Sequence, residues 1–90
     1  MTRAPQAGYS EIADQQLDDL ERRMPRAIFD AVVDACEWIL DHPAAARARS
    51  SAITTVDGIR FRYAVAGADG IKVFWAADGP RIEAVFPYPT

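Results

Sequence analysis

Apolar residues in the first half of the chain recur at helical intervals. Ala13, Leu17, Leu20 and Met24 are spaced four, three and four apart and share one stripe, while Asp14, Asp18, Asp19 and Glu21 fall mostly off it. Ser10 precedes the stripe with a hydroxyl suited to an N-cap, so a helix is predicted from there to Met24. Pro25 has no N–H to continue the helical ladder but suits the first turn of a new helix. From it, Ile28, Ala31, Val32, Ala35, Ile39 and Leu40 keep helical spacing as far as Asp41. Pro43 disfavours helical geometry at His42, so the two helices are expected to form a hairpin closed by an alanine-rich connector.

After Ser51 the period falls to two. Residues 53–56 are β-branched, Asp57-Gly58 is a two-residue hairpin signal, and Ile59, Phe61, Tyr63 and Val65 alternate with Arg60, Arg62 and Ala64. Gly67-Ala68-Asp69-Gly70 and Asp78-Gly79-Pro80 read as further turns, the first leading into Ile71, Val73 and Trp75, the second into a strand over residues 81–88. The predicted architecture is α+β: an N-terminal helical hairpin packed on one face of a three- to four-stranded antiparallel sheet, with the other face open. Ninety residues leave room for a single domain, residues 1–90, with residues 1–9 as an irregular tail.

Composition narrows the chemistry. Cys36 is the only cysteine and His42 the only histidine, which argues against an intrachain disulfide and a cysteine- or histidine-built metal site; no cofactor is expected. The start has no apolar run, and the most apolar stretch, residues 27–40, is interrupted by Asp30, Asp34 and Glu37. Neither a signal peptide nor a membrane span is expected, which points to the cytoplasm.

The formal net charge of −3 speaks at face value against a generally basic, nucleic-acid-coating surface. Its distribution changes that picture. Residues 1–42 carry four arginines against nine acids, and residues 43–90 carry six basic residues against four acids, so −5 and +2 make up the total. Side chains alternate across a strand, so Arg60 and Arg62 share the face opposite Phe61 and Tyr63, and Lys72 joins them if the next strand pairs in simple register. This is either a small cationic face for phosphates or a set of ordinary solvated charges. Cys36, between Ala35 and Glu37, reads as a small core residue rather than a nucleophile. Phe29, Trp38, Phe74 and Trp75 are core aromatics or base-stacking groups.

From Tyr9 to Tyr88 this order of elements resembles the RelE/ParE superfamily of bacterial toxins. The resemblance rests on the helical hairpin with Leu17 and Leu20, on Asp41-His42-Pro43 closing it, and on the strand meander. Gly58-Ile59-Arg60-Phe61-Arg62-Tyr63, Gly79-Pro80-Arg81 and Tyr88 stand in the order of the RelE-type motifs: a Gly-aromatic-Arg strand, a Gly-basic-Arg turn and a later tyrosine. Pro80 takes the place of the basic residue in the turn. The superfamily also opens with a strand, whereas residues 1–10 show no β pattern, so an edge strand is either absent or supplied by a partner.

The resemblance implies the toxin of a type II toxin–antitoxin system, countered by an antitoxin protein that wraps the helices and the exposed sheet face. RelE-type members are ribosome-dependent endoribonucleases that promote attack of an mRNA 2′-hydroxyl on the adjacent phosphate. On that reading the partners are the ribosome and mRNA. Arg60 and Arg81 hold the phosphate and offset its developing charge, Arg62 and Lys72 contact RNA, and Tyr88 is a proton donor or stacking group. Glu83 and His42 are the nominal general bases, although Glu83 also serves to balance Arg81, and His42 suits a helix end. ParE-type members imply instead a DNA gyrase inhibitor that needs no nuclease residues. A non-catalytic protein-interaction module with the same fold is a third reading.

Overall fold

A computed structural model describes residues 8–68 and 70–87. Ser10 caps the first helix, α1 (Glu11–Arg23), its Oγ accepting from the Ala13 N–H at 3.0 Å. Ala13, Leu17 and Leu20 are buried, as their shared stripe requires. Pro25 stands at the N-cap of α2 (Arg26–Asp41), one position before the first turn, and its carbonyl accepts from the N–H groups of Ile28 and Phe29. Phe29, Val32, Cys36 and Ile39 form the buried stripe of α2, with Ile28, Ala31, Ala35 and Leu40 packed along its margins. The connector is itself a short helix, α3 (Pro43–Ala48). Pro43 opens it at a position where no N–H is needed, and the alanines that follow are the strongest helix formers.

Four strands follow: β1 (Ser51–Thr55), β2 (Gly58–Ala64), β3 (Ile71–Ala76) and β4 (Arg81–Pro87). They pair in the order β1-β2-β3-β4, every pair antiparallel, so the fold is the predicted α+β arrangement of N-terminal helices on an antiparallel meander. The first hairpin is offset by one residue from its sequence signal. Thr55 pairs with Gly58, so the two-residue loop is Val56-Asp57, and Gly58 opens β2 at φ +118°, a backbone region that favours glycine.

The helices cover the face carrying Phe61, Val73, Trp75, Ile82 and Val85, which packs with Leu17, Val32, Cys36 and Ile39 into one core. Trp75 is fully buried, and its indole N–H donates to Ser50 Oγ at 3.1 Å. Ser50 in turn donates to the Ala46 carbonyl at 2.7 Å, which ties the end of α3 to the centre of the sheet.

Strand β4 is irregular in a way that matters for the site. Phe74 pairs with Ala84 but Trp75 pairs with Ile82, so Glu83 is an extra residue, a β-bulge. Ile82 and Val85, three apart, therefore both reach the core.

The outer edge of β4 is closed by the chain's own start. Tyr9 forms a parallel bridge with Ile82. The Ile82 N–H donates to the Gly8 carbonyl at 2.7 Å, and the Ser10 N–H to the Ile82 carbonyl at 2.8 Å. The Ser10 hydroxyl donates to the Glu83 carbonyl, and Gln16 Oε1 accepts from the Val85 N–H, both at 2.6 Å. Residues 8 and 9, read from the sequence as the end of an irregular tail, thus run beside β4; residues 1–7 lie outside the described residues. No helix among the described residues is long and apolar enough to cross a membrane.

Candidate active site

The β1–β2 loop and the β3–β4 turn lie at one end of the meander, and between them runs a shallow groove. Its larger part, about 450 Å³, is lined by Arg47, Asp57, Ile59, Arg60, Phe61 and Asp78 among others. A smaller part of about 290 Å³ shares Asp57, Arg60 and Asp78 and adds Arg81 and Glu83.

Strand register brings the two sequence-predicted arginines together. One step beyond the Phe61–Trp75 pair sets Arg60 beside Ala76, and Ala76 is paired with Arg81, so the three form one row across the open face. Glu83 joins them. Arg81 Nε and Nη2 donate to Glu83 Oε2 at 3.1 and 2.9 Å, and Arg60 Nε lies 3.8 Å from the same oxygen. Arg60 and Glu83 are 24% and 22% exposed as side chains, whereas Arg81 is 53% exposed. The first two thus sit in the wall of the groove, and Arg81 stands at its rim. Glu83 does balance the charge of Arg81, as its alternation with that residue suggests, and it also receives Arg60 from the neighbouring hairpin.

This arrangement has a chemical consequence. All three contacts fall on Oε2, which leaves Oε1 to accept a proton, while two guanidinium groups flank the carboxylate with planar donors matched to phosphate oxygens. The two parts of the groove together hold Arg47, Arg60 and Arg81 against Asp57, Asp78 and Glu83, three charges of each sign. Long-range attraction for a polyanion is therefore small, and what the groove offers is local geometry.

The other predicted residues are dispersed. Arg62 is exposed on the Arg60 face, level with Phe74. Lys72 shares that face, level with Ala64 and Phe86, but is four residues along β3 from Ala76, about 14 Å at strand spacing. It therefore marks the far end of the sheet face. His42 stands between α2 and α3, its ring 6.0 Å from that of Trp38, and does not line the groove. Cys36 is fully buried and Trp75 belongs to the core, whereas Phe74 is half-buried on the open face and meets Phe86 edge-on, ring centroids 5.2 Å apart. Tyr88 lies outside the described residues.

Arg47 was not singled out by sequence reasoning. It comes from α3, lines the groove, and its guanidinium carbon lies 5.4 Å from the centre of the Phe61 ring. Reading residues 43–50 as a connector hid it, although Pro43 followed by alanines was a signal for a helix that aims a side chain. Among the described residues no group of three or more histidine, cysteine or acidic side chains is placed to hold a metal ion. Comparisons with family models, with curated proteins and with solved structures find no match to this chain.

Proposed function

We propose that this chain is a RelE-type toxin of a type II toxin–antitoxin pair, an endoribonuclease that cleaves mRNA on the ribosome. The observation that carries the proposal is the convergence of Arg60 and Arg81, from separate hairpins, on the single carboxylate of Glu83. Glu83 takes the proton from an RNA 2′-hydroxyl, whose oxygen attacks the adjacent phosphorus. The bond from phosphorus to the 5′-oxygen breaks, giving a 2′,3′-cyclic phosphate and a 5′-hydroxyl, and the leaving oxygen receives a proton from Tyr88 or from water. Arg60 and Arg81 hold the phosphate oxygens and stabilise the charge that grows on them. Arg62 and Lys72, farther along the open face, hold the flanking RNA. The near-neutral groove supports dependence on the ribosome, which supplies the binding that the groove's own charge does not.

The open edge strand β1, exposed along most of its length, supports a second reading, a protein-docking module that binds an antitoxin or DNA gyrase without cutting RNA. Growth separates the readings. Expression without a partner is expected to arrest growth, and Arg60→Ala with Arg81→Ala to relieve the arrest. Arrest undiminished in the double variant would sink the ribonuclease reading.

A further inference from the structure

We propose that Phe74, on the open face of the sheet, stacks on a base of a single-stranded RNA whose phosphates are held by Arg62 and Lys72. This deepens the ribonuclease reading by naming how the strand beside the groove is held, and RNA as the occupant rests on that reading.

Strand register places these residues. Phe74 is level with Arg62 of β2 and Ala84 of β4, and the next row along the face is Ala64, Lys72 and Phe86. The row of Arg60, Ala76 and Arg81 lies on the other side, two residues from Phe74 along β3, about 7 Å at strand spacing. An unstacked nucleotide spans a comparable length. A strand with one phosphate at Arg60 and Arg81 therefore carries a neighbouring base over Phe74.

The aromatic core of the sheet, Phe61 and Trp75, faces the helices. Phe74 alternates with Val73 and Trp75 and so points away from that core. It is half-buried and meets Phe86, ring centroids 5.2 Å apart and planes at 89°. A base parallel to one ring is edge-on to the other, so the pair forms a corner rather than a flat layer. Ala76 and Ala84, beside Phe74 on the same face, have side chains too short to stand as high as the ring.

Charge complementarity selects the occupant. Of the strand residues on this face four are cations, Arg60, Arg62, Lys72 and Arg81, and one is an acid, Glu83, in a chain of net charge −3. Glu83 is engaged by Arg60 and Arg81. Among the described residues neither Arg62 nor Lys72 is in an ion pair, which leaves both to meet phosphates. Cations set around an aromatic ring match the alternation of phosphate and base along a single strand. Stacking reads the face of a base and not its edge, so the platform admits all four bases.

Fluorescence anisotropy of the full chain at low salt tests this, with a labelled oligouridine about eight nucleotides long. Every 2′-hydroxyl of the probe is methylated, so it cannot be cut, and a second probe is the same sugar-phosphate chain without bases. The wild type is expected to bind the probe with bases about 5-fold or more tighter than the abasic one, the least that one stacked base gives. Phe74→Ala is expected to abolish that difference while keeping the abasic affinity, which also shows that the variant is folded, and Phe74→Tyr to retain the difference. Arg62→Ala with Lys72→Ala is expected to weaken both probes alike. Equal binding of the two probes by the wild type, an unchanged preference in Phe74→Ala, or no binding up to about 1 mM overturns the proposal. The two readings fail separately. Equal binding alongside message cut in cells removes the platform alone, whereas a base preference that depends on Phe74 without any cutting keeps the platform and removes the ribonuclease.

Discussion

Glu83 occupies its place through the bulge that also sends Ile82 and Val85 into the core, with its carbonyl pinned by the Ser10 hydroxyl at 2.6 Å. Its carboxylate is tied to an arginine that is half exposed and to another that is mostly covered. The pair with half-exposed Arg81 contributes little to folding, in the range of about 0–1 kcal/mol, and the contact with the covered Arg60 is long, at 3.8 Å. Stability and chemistry therefore separate at this residue. Glu83→Gln is expected to leave the thermal midpoint nearly unchanged while cleavage falls about 100- to 10,000-fold, as for loss of a general base. Paired melting curves and cleavage assays check it, and parallel losses in both would make Glu83 a structural residue. The sequence named Arg60, Arg81 and Glu83 separately. What it could not show was that Glu83 is an extra residue in β4, because a bulge is defined by the partner strand and leaves no mark in the local alternation.

The elements follow from sequence where one face is buried and depart from it where a few residues decide. The stripes of α1 and α2 and the alternation in β2 were legible because each buries a regular set of side chains. The connector, by contrast, is short, and its helix α3 depends on Pro43 and on the Ser50 link between Ala46 and Trp75. The first hairpin turns one residue earlier than Asp57-Gly58 suggested, because Gly58 is used to begin β2 rather than to finish the loop. Ser10 joins two elements: its oxygen caps α1 and its hydroxyl proton reaches β4. Ser10→Ala is therefore expected to cost about 1–2 kcal/mol, the range for a lost cap, and to lower cleavage as well, since the Glu83 backbone loses its tether. Denaturant unfolding measures the first effect; a stability loss with full activity would show that the tether does not position the carboxylate.

Across the whole molecule, charge is divided between acidic helices and a mildly basic sheet half, −5 against +2. The overall sign therefore does not forbid RNA, but it limits how RNA is held. Among the described residues Arg60, Arg62, Lys72 and Arg81 are the cations on the open face, so the proposed RNA contact involves few phosphates. For single-stranded RNA the slope of log K against log salt is expected to be no steeper than about −3. Fluorescence anisotropy over a salt series checks this, and a slope twice as steep would require a cationic surface elsewhere.

The central claim is that the Arg60, Arg81 and Glu83 groove cuts message. Mapping RNA ends by primer extension on total RNA, from cells expressing the wild-type chain or Glu83→Gln, tests it most directly. The account predicts new ends within translated codons for the wild type and none for the variant. Intact message accompanied by double-strand DNA breaks, or the same cuts from both chains, would contradict it.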